Sequence, residues 1–328
     1  MTHPKRTGDM MKIPSLIALA TIFAAPAGAQ TAKFPDRMIR IIVPFAAGGG
    51  VDSTARLVAN RLQTQLGVSV IVENRAGANG VLGGKAVQTA ANDGYTLLFS
   101  AATHVLAKQV LSNAPYDPVV DFAPVARVAE APLMLVIAPQ LEVQKLPELL
   151  AAAKQTTWTA AIPAAGAPSH LATLLLAKQG NVTFSFVPYK GTQPALVDVA
   201  GGHVQLMLDS MISVLPLAKA GRVKPVAITS PKRSPLAPEV PTAQESGLPG
   251  LTYASWYGIW APKGTAPERV QLLNKAINAS VNELTRSGAF AGLGIDPVSQ
   301  DADQFARYIT GYVTQSADLL KSAGFKPE

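Results

Sequence analysis

The residues best placed to do chemistry in this sequence are small ones. The run Pro44-Phe45-Ala46-Ala47-Gly48-Gly49-Gly50-Val51-Asp52-Ser53 sets three glycines between a β-branched strand and a helix start. Small side chains there leave several backbone N–H groups pointing outward without partners. The helix dipole adds partial positive charge at the same place, so the turn is suited to a carboxylate or a phosphate. A plain strand-to-helix turn, with Asp52 or Ser53 as N-cap, explains the same residues. The run Ala164-Ala165-Gly166-Ala167-Pro168-Ser169-His170 repeats the arrangement further along, with Ser169 able to cap the helix or to donate to an anion. Two such helix starts facing one cleft would clamp an acid. Asp209, which ends the apolar strand Val204 to Leu208, has the same kind of address, because ligands of open α/β sheets lie at the carboxyl ends of strands. A carboxylate beside an anion site repels its guest. Asp209 therefore orients donors, accepts from a ligand amine or hydroxyl, or simply caps the helix from Ser210.

Other chemistries lack their residues. There is no cysteine, which removes thiolate zinc sites, cysteine nucleophiles and disulfides. No G-x-S-x-G elbow, H-E-x-x-H helix or phosphate-binding P-loop occurs. Beyond the first 29 residues the only histidines are His104, His170 and His203, far apart and without a carboxylate at metal spacing. No G-x-G-x-x-G follows the first strand, although Glu73 ends the second, so a dinucleotide site is weakly supported. No cofactor and no metal are expected.

Positioning these turns requires alternating strands and helices. Ile39 to Phe45 is an almost unbroken β-branched run, as a strand buried on both faces should be. A helix follows from about Ser53 to Leu66, stopped by Gly67; then come a strand over 68–72, a helix over 81–90 and a strand over 95–100. This order implies a parallel sheet with right-handed crossovers. The pattern breaks at 123–139, two extended segments around a proline. It restarts with helices at 146–155, 169–179 and 192–200 and strands at 158–162, 184–189, 204–208 and 223–229. A proline-rich loop covers 230–250, an aromatic extended segment 253–261, and two amphipathic helices close the chain. The expected architecture is two α/β domains around a cleft, the first comprising 30–130 and 254–328, the second 131–253.

The chain of 328 residues is 48% hydrophobic and 15% charged, enough apolar material for two cores and too little charge for general disorder. Residues 1–29 read as a secretory leader: Lys5, Arg6 and Lys12, then the apolar stretch 13–23, then Ala27-Gly28-Ala29 as the cleavage site. Its removal takes three bases and Asp9, so the net charge falls from +7 to +5. No later run reaches the ~18 apolar residues of a membrane span; Ala131 to Leu141 is interrupted by Pro132 and Pro139. The basic residues are scattered, with Lys232-Arg233 the only adjacent pair after the leader, which argues against nucleic acid as a partner.

From Phe34 onward the sequence resembles the Bug family, the extracytoplasmic solute receptors of tripartite tricarboxylate transporters. The resemblance rests on Pro44 to Gly49 with Asp52, Val72-Glu73-Asn74-Arg75-Ala76-Gly77-Ala78, Asp93 to Leu98, Tyr116-Asp117-Pro118, Asp121 to Val125, Ser169-His170-Leu171, Tyr189-Lys190-Gly191, and Arg233-Ser234-Pro235 leading to Val240-Pro241-Thr242. It implies a two-domain periplasmic-binding-protein fold, type II-like, that closes on a small organic acid by hinge motion. The family's backbone cradle maps onto Phe45, Ala46, Gly48, Gly49 and Asp52 on one side and Gly166, Ser169 and His170 on the other. Ser100, Thr103, Tyr189 and Asp209 follow as wall residues. The resemblance further implies a monomeric periplasmic receptor, not an enzyme, that serves a large and a small integral membrane subunit. A sensor without a dedicated transporter is the nearest alternative.

The chain departs from the family pattern at two places. Ala164-Ala165-Gly166-Ala167 stands where relatives carry a Gly-Asn-Gly-Thr type of run, and Ala107-Lys108 where many have Asn-Pro. Both are expected to border the pocket, and the lost side-chain hydrogen-bonders suggest a less polar ligand body. The opposing hypothesis is an exported enzyme acting on an organic acid, with Ser169 and His170 as its one tempting pair.

Overall fold

The computed structural model describes residues 1–5, 8 and 34–327. The apolar and cleavage segments of the expected leader lie outside the described residues. Residues 1–5 and 8 carry no regular secondary structure. The compact unit Phe34–Glu328 holds the rest.

Its chain order is β1 (Ile39–Val43), α1 (Gly50–Leu66), β2 (Val70–Asn74), α2 (Val81–Gln88), β3 (Thr96–Ala101), α3 (Ala102–Val105), α4 (Ala107–Val110) and β4 (Phe122–Ile137). Next come α5 (Leu146–Gln155), β5 (Trp158–Ile162), α6 (Pro168–Gly180), β6 (Phe184–Pro188), α7 (Thr192–Gly201), β7 (Leu206–Ser210), α8 (Met211–Lys219) and β8 (Lys224–Ile228). The chain ends with β9 (Ala254–Pro262), α9 (Pro267–Arg286), β10 (Asp296–Pro297) and α10 (Ala302–Ser322).

Two parallel blocks result. In one, β1 pairs with β2 and β3; in the other, β5 pairs with β6 and β7. Antiparallel strands join them, giving the order β2-β1-β3-β9-β4-β7-β5-β6. The element that joins them is β4. Its first half pairs with β9 as far as Pro132, and from Leu133 onward it pairs with β7 and β8. Pro132 has no N–H to give a ladder, so it fits at the point where the partner strand changes. The next amide, Leu133, donates to Thr229 Oγ1 at 2.9 Å. The expected pair of extended segments around a proline is therefore one 16-residue strand, bent by bulges near Pro124 and Arg127 rather than broken.

Packing follows the apolar pattern. α1 lays Ala55, Val58, Ala59 and Leu62 onto β1 and β3, and α9 covers the same face with Leu273, Ile277, Val281 and Leu284. Gly67 ends α1 in the left-handed region (φ 69°) and donates its N–H to Gln63 O. On the other face, Trp256 and Trp260 of β9 meet Phe305, and Tyr308 and Tyr312 of α10 pack edge-on against Trp256. Phe325, just past α10, packs against His170 of α6, so the C-terminal helix leans on elements from both blocks.

Candidate functional site

Four helices begin around one cavity. α1 follows β1 through the glycine run, α6 follows β5 through 163–167, α7 follows β6, and α8 follows β7 directly. Their N-cap residues are Gly49, Ala167, Gly191 and Ser210, and none makes a side-chain cap hydrogen bond. The first-turn amides therefore keep free donors, with the positive ends of the dipoles behind them. Gly50, Val51, Ser169 and Thr192 all border the cavity, a cleft of about 500 Å³ with its open mouth included. Phe45, Val51, Ala101, Ala164, Ala167 and Pro168 give it a largely apolar lining.

The turn after β1 is fixed by Asp52, which is 3% exposed. It occupies the first turn of α1 rather than capping it, since the helix begins at Gly50, three residues before the expected Ser53. One oxygen accepts from the Gly48 N–H (2.9 Å) and Arg56 Nε (3.1 Å); the other accepts from Asn74 Nδ2 (2.9 Å) and lies 3.0 Å from Arg56 Nη2, which itself donates to Asn74 Oδ1 at 2.8 Å. Burial pushes this carboxyl up, but Arg56, the Gly48 amide and Asn74 outweigh it and hold it below the usual 3.8. Asn74 also donates to Phe45 O at 3.0 Å, tying the motif after β2 to the loop after β1.

The opposite turn is fixed by His170. Gly166 adopts φ 69°, and its N–H donates to His170 Nδ1 at 3.1 Å. The imidazole packs against Phe186 and Phe325. Burial lowers its pKa to about 4, so the ring is neutral at pH 7 and its Nδ1 is an acceptor. Ser169, next along the helix, hydrogen-bonds to Asp209 instead. Asp209 further accepts from Thr192 Oγ1 (2.7 Å) and from the Ser210 N–H (2.6 Å). Burial drives its carboxyl up, against the opposing pull of Thr192, Ser210 and Ser169.

Of the residues expected from sequence, Phe45, Ala46, Gly49, Asp52, Thr103, Ser169 and Asp209 stand on the cavity wall. Gly48, Ser100, Gly166, His170 and Tyr189 do not border it. Gly48 shapes the turn with φ 84°. Ser100 is fully buried in β3, opposite Gly258. Tyr189 donates to Asp198 at 2.6 Å, and burial with that carboxylate pushes its phenol up to about 12. Ala107 and Lys108 do not border the cavity: Ala107 is buried in an aromatic cluster and Lys108 pairs with Asp117 at 2.7 Å. Sequence reasoning missed Thr192, Ser210, Ser255 and Tyr257. For Thr192 the signal was available, because Gly191-Thr192 also joins a strand to a helix. For Ser255 and Tyr257 there was none, because an antiparallel strand carries them in.

Ser169 and His170 do not form a nucleophile–base couple, since each is turned to a different partner. Three hydrogen bonds instead join segments on opposite sides of the cavity, the last of them buried. Gln193 Nε2 donates to Gly48 O at 2.8 Å, Asn79 Nδ2 to Ala165 O at 2.9 Å, and Tyr257 Oη to Ser210 Oγ at 3.2 Å.

The family model described as "Tripartite tricarboxylate transporter family receptor" matches residues 54–325. The chain is 37% identical over 326 residues to protein BugT of Bordetella pertussis, an alignment that covers 96% of this chain and 99% of BugT. Among solved structures it is similar to the periplasmic binding protein BugD, with 33% identity, a TM-score of 0.84, and coverage of 90% of this chain and 100% of BugD. It is also similar to the R. palustris protein Rpa4515 solved with adipate, with 32% identity, a TM-score of 0.86, and coverage of 90% and 100%. A two-block α/β fold with uncapped helix starts around one cavity, matched along nearly its whole length, places this chain in the family of tripartite tricarboxylate transporter receptors, which are solute-binding proteins.

Proposed function

We propose that the chain captures a small organic acid in the periplasm and delivers it to the large and small integral membrane subunits of a tripartite transporter. The supporting observation is that four helix starts, all without side-chain caps, border one cavity. Backbone N–H groups there bind a carboxylate without a cationic side chain. Phe45, Ala46, Gly49 and Asp52 hold one side, and Ser169 and Asp209 the other. Gly48, Gly166 and His170 shape the turns, Thr103 contributes a hydroxyl, and Ser100 and Tyr189 back the wall. The apolar lining favours a guest with an aliphatic or aromatic body, in keeping with the adipate bound to the R. palustris relative.

The lobes 30–130 with 254–328 and 131–253 close on the guest, and the membrane subunits recognise the closed form. The protein acts as a monomer and performs no chemical step, because no base is aimed at a nucleophile in the cavity. The test is mass spectrometry of the small molecule released from protein purified from its natural host. The reading requires an intact carboxylic acid in about equimolar amount, unchanged after incubation with the protein. A ligand without an acid group, or conversion of the acid, would contradict it.

A further inference from the structure

The cavity designed for an anion holds two carboxyl side chains and no lysine, arginine or histidine on its wall. The two acids differ in their surroundings. Asp52 is matched by the Arg56 guanidinium at 3.0 Å. Asp209, only 7% exposed, has neutral partners alone: the Thr192 hydroxyl, the Ser210 N–H and Ser169.

The elements packed around Asp209 bring no cation to it. From α6 come Ser169 and, one residue on, His170, which burial keeps neutral at pH 7. From β9 comes Tyr257, whose phenol is pushed up to about 12 by burial and stays protonated. From α1, across the cavity, comes Asp52 with its own Arg56. The strand β5 carries no titratable side chain, and α8 carries only Lys219, at its last position. In β4, Met134 lies beside Asp209, while Arg127 is paired with Glu130 and stacked on Tyr308. The α7 segment brings Thr192, and its Asp198 is bonded to Tyr189.

A guest carboxylate in this cavity therefore meets an unmatched buried acid. Two carboxylates sharing one dry site cannot both stay ionised; one retains a proton. We infer that the cavity takes up one solvent proton with each carboxylate guest and holds it between the guest and the Asp209 carboxyl, so that Asp209 makes capture favour the acidic side of neutral pH. No bond between heavy atoms changes. One proton enters from water, and the Thr192 hydroxyl, now a donor to Asp209, reverses to accept from it and donate to the guest. Burial already biases Asp209 toward the protonated form before the guest arrives. This inference rests on the carboxylate reading of the site and adds to it the charge state of the complex.

The experiment is isothermal titration calorimetry of the purified protein with adipate, and in parallel with the hydroxylated diacid malate. Titrations at pH 7 are run in two buffers of different ionisation enthalpy, and the affinity is then followed from pH 5.5 to 8.5. The inference predicts uptake of up to one proton per guest and an affinity that falls by as much as tenfold per pH unit. Asp209→Asn removes the acid at constant shape. It is expected to abolish both the uptake and the slope, and to bind the diacid more tightly than wild type at pH 8.5. The wild-type calorimetry stands whether or not that variant folds. Carboxyl-carbon NMR of wild-type Asp209 with and without adipate gives a second readout, a titration moved upward by the guest. Binding with no proton uptake and a flat pH profile overturns this inference and leaves the carboxylate reading intact. Failure of adipate, malate and a wider panel of carboxylates to bind overturns both.

Discussion

Replacing Asp52 by alanine tests how the first cradle is held. The Asp52 carboxylate accepts three hydrogen bonds, one each from Arg56 Nε, the Gly48 N–H and Asn74, and pairs with the Arg56 guanidinium at 3.0 Å. Arg56 is half exposed, so its contribution is screened by water and is worth under about 1 kcal/mol. The other two bonds fix the turn itself, and each bond to a charged acceptor is worth about 1.5–3 kcal/mol before water recovers part of it. The expected net loss for Asp52→Ala is about 2–3 kcal/mol. For a chain of this length that lowers the thermal midpoint by about 3–5 °C. The assay is urea unfolding of wild type, Asp52→Ala, Arg56→Ala and the double variant. The cycle should give a Asp52–Arg56 coupling of about 1 kcal/mol or less, with most of the loss independent of Arg56. Because the folded carboxyl lies below its ordinary 3.8, its contribution is complete above that pH and disappears as the pH falls through the folded value. A coupling that accounts for the whole loss, or a variant as stable as wild type, would refute the assignment of Asp52 as the residue that shapes the turn.

Further predictions concern the cavity, the second turn and the core. Gln193→Ala and Asn79→Ala each remove one hydrogen bond between turns on opposite sides of the cavity, worth about 0.5–1.5 kcal/mol, so ligand should leave roughly two- to tenfold faster in stopped-flow measurements. Gly166→Ala places a Cβ 2.7 Å from Val110 Cγ1 at a φ of 69°, so calorimetric unfolding should show a loss of about 1–3 kcal/mol. His104 is 4% exposed, has no hydrogen-bond partner on either ring nitrogen, and is lowered by burial to about 3. The unfolded chain binds a proton there near 6.5 and the folded chain does not, so stability is full above that value and falls as the pH drops from 6.5 toward 3. In His104→Phe, urea midpoints between pH 7 and pH 4 should depend less on pH than in wild type.

The two parallel blocks were legible because buried parallel strands are written as apolar runs and their helices are punctuated by glycine. The spans Leu146–Gln155 and Trp158–Ile162 coincide with α5 and β5. The turns bearing Phe45 to Asp52 and Ser169 were legible for the same reason, since the glycine and alanine that free the amides also mark the turn. Less was visible where tertiary pairing decides. The proline at 132 reads as a break, yet β4 runs through it because its partner strand changes there. The two short helices Ala102–Val105 and Ala107–Val110 have no period of their own and exist because His104 and Val110 bury into an aromatic cluster. Tyr257 reaches the cavity through pairing of β9 with β3 and β4, which no local pattern in 254–262 announces. The resemblance places His170 in the backbone cradle of the second turn. Its role, accepting from Gly166, depends on a turn geometry that spacing does not encode.

The central claim is that uncapped helix starts, not cationic side chains, hold the guest's acid group. A crystal structure of the protein with adipate tests it most directly. The claim predicts carboxylate oxygens within hydrogen-bond distance of first-turn N–H groups of both α1 and α6, with no lysine or arginine in contact. A carboxylate seated on a basic side chain, or lying outside this cavity, would contradict it.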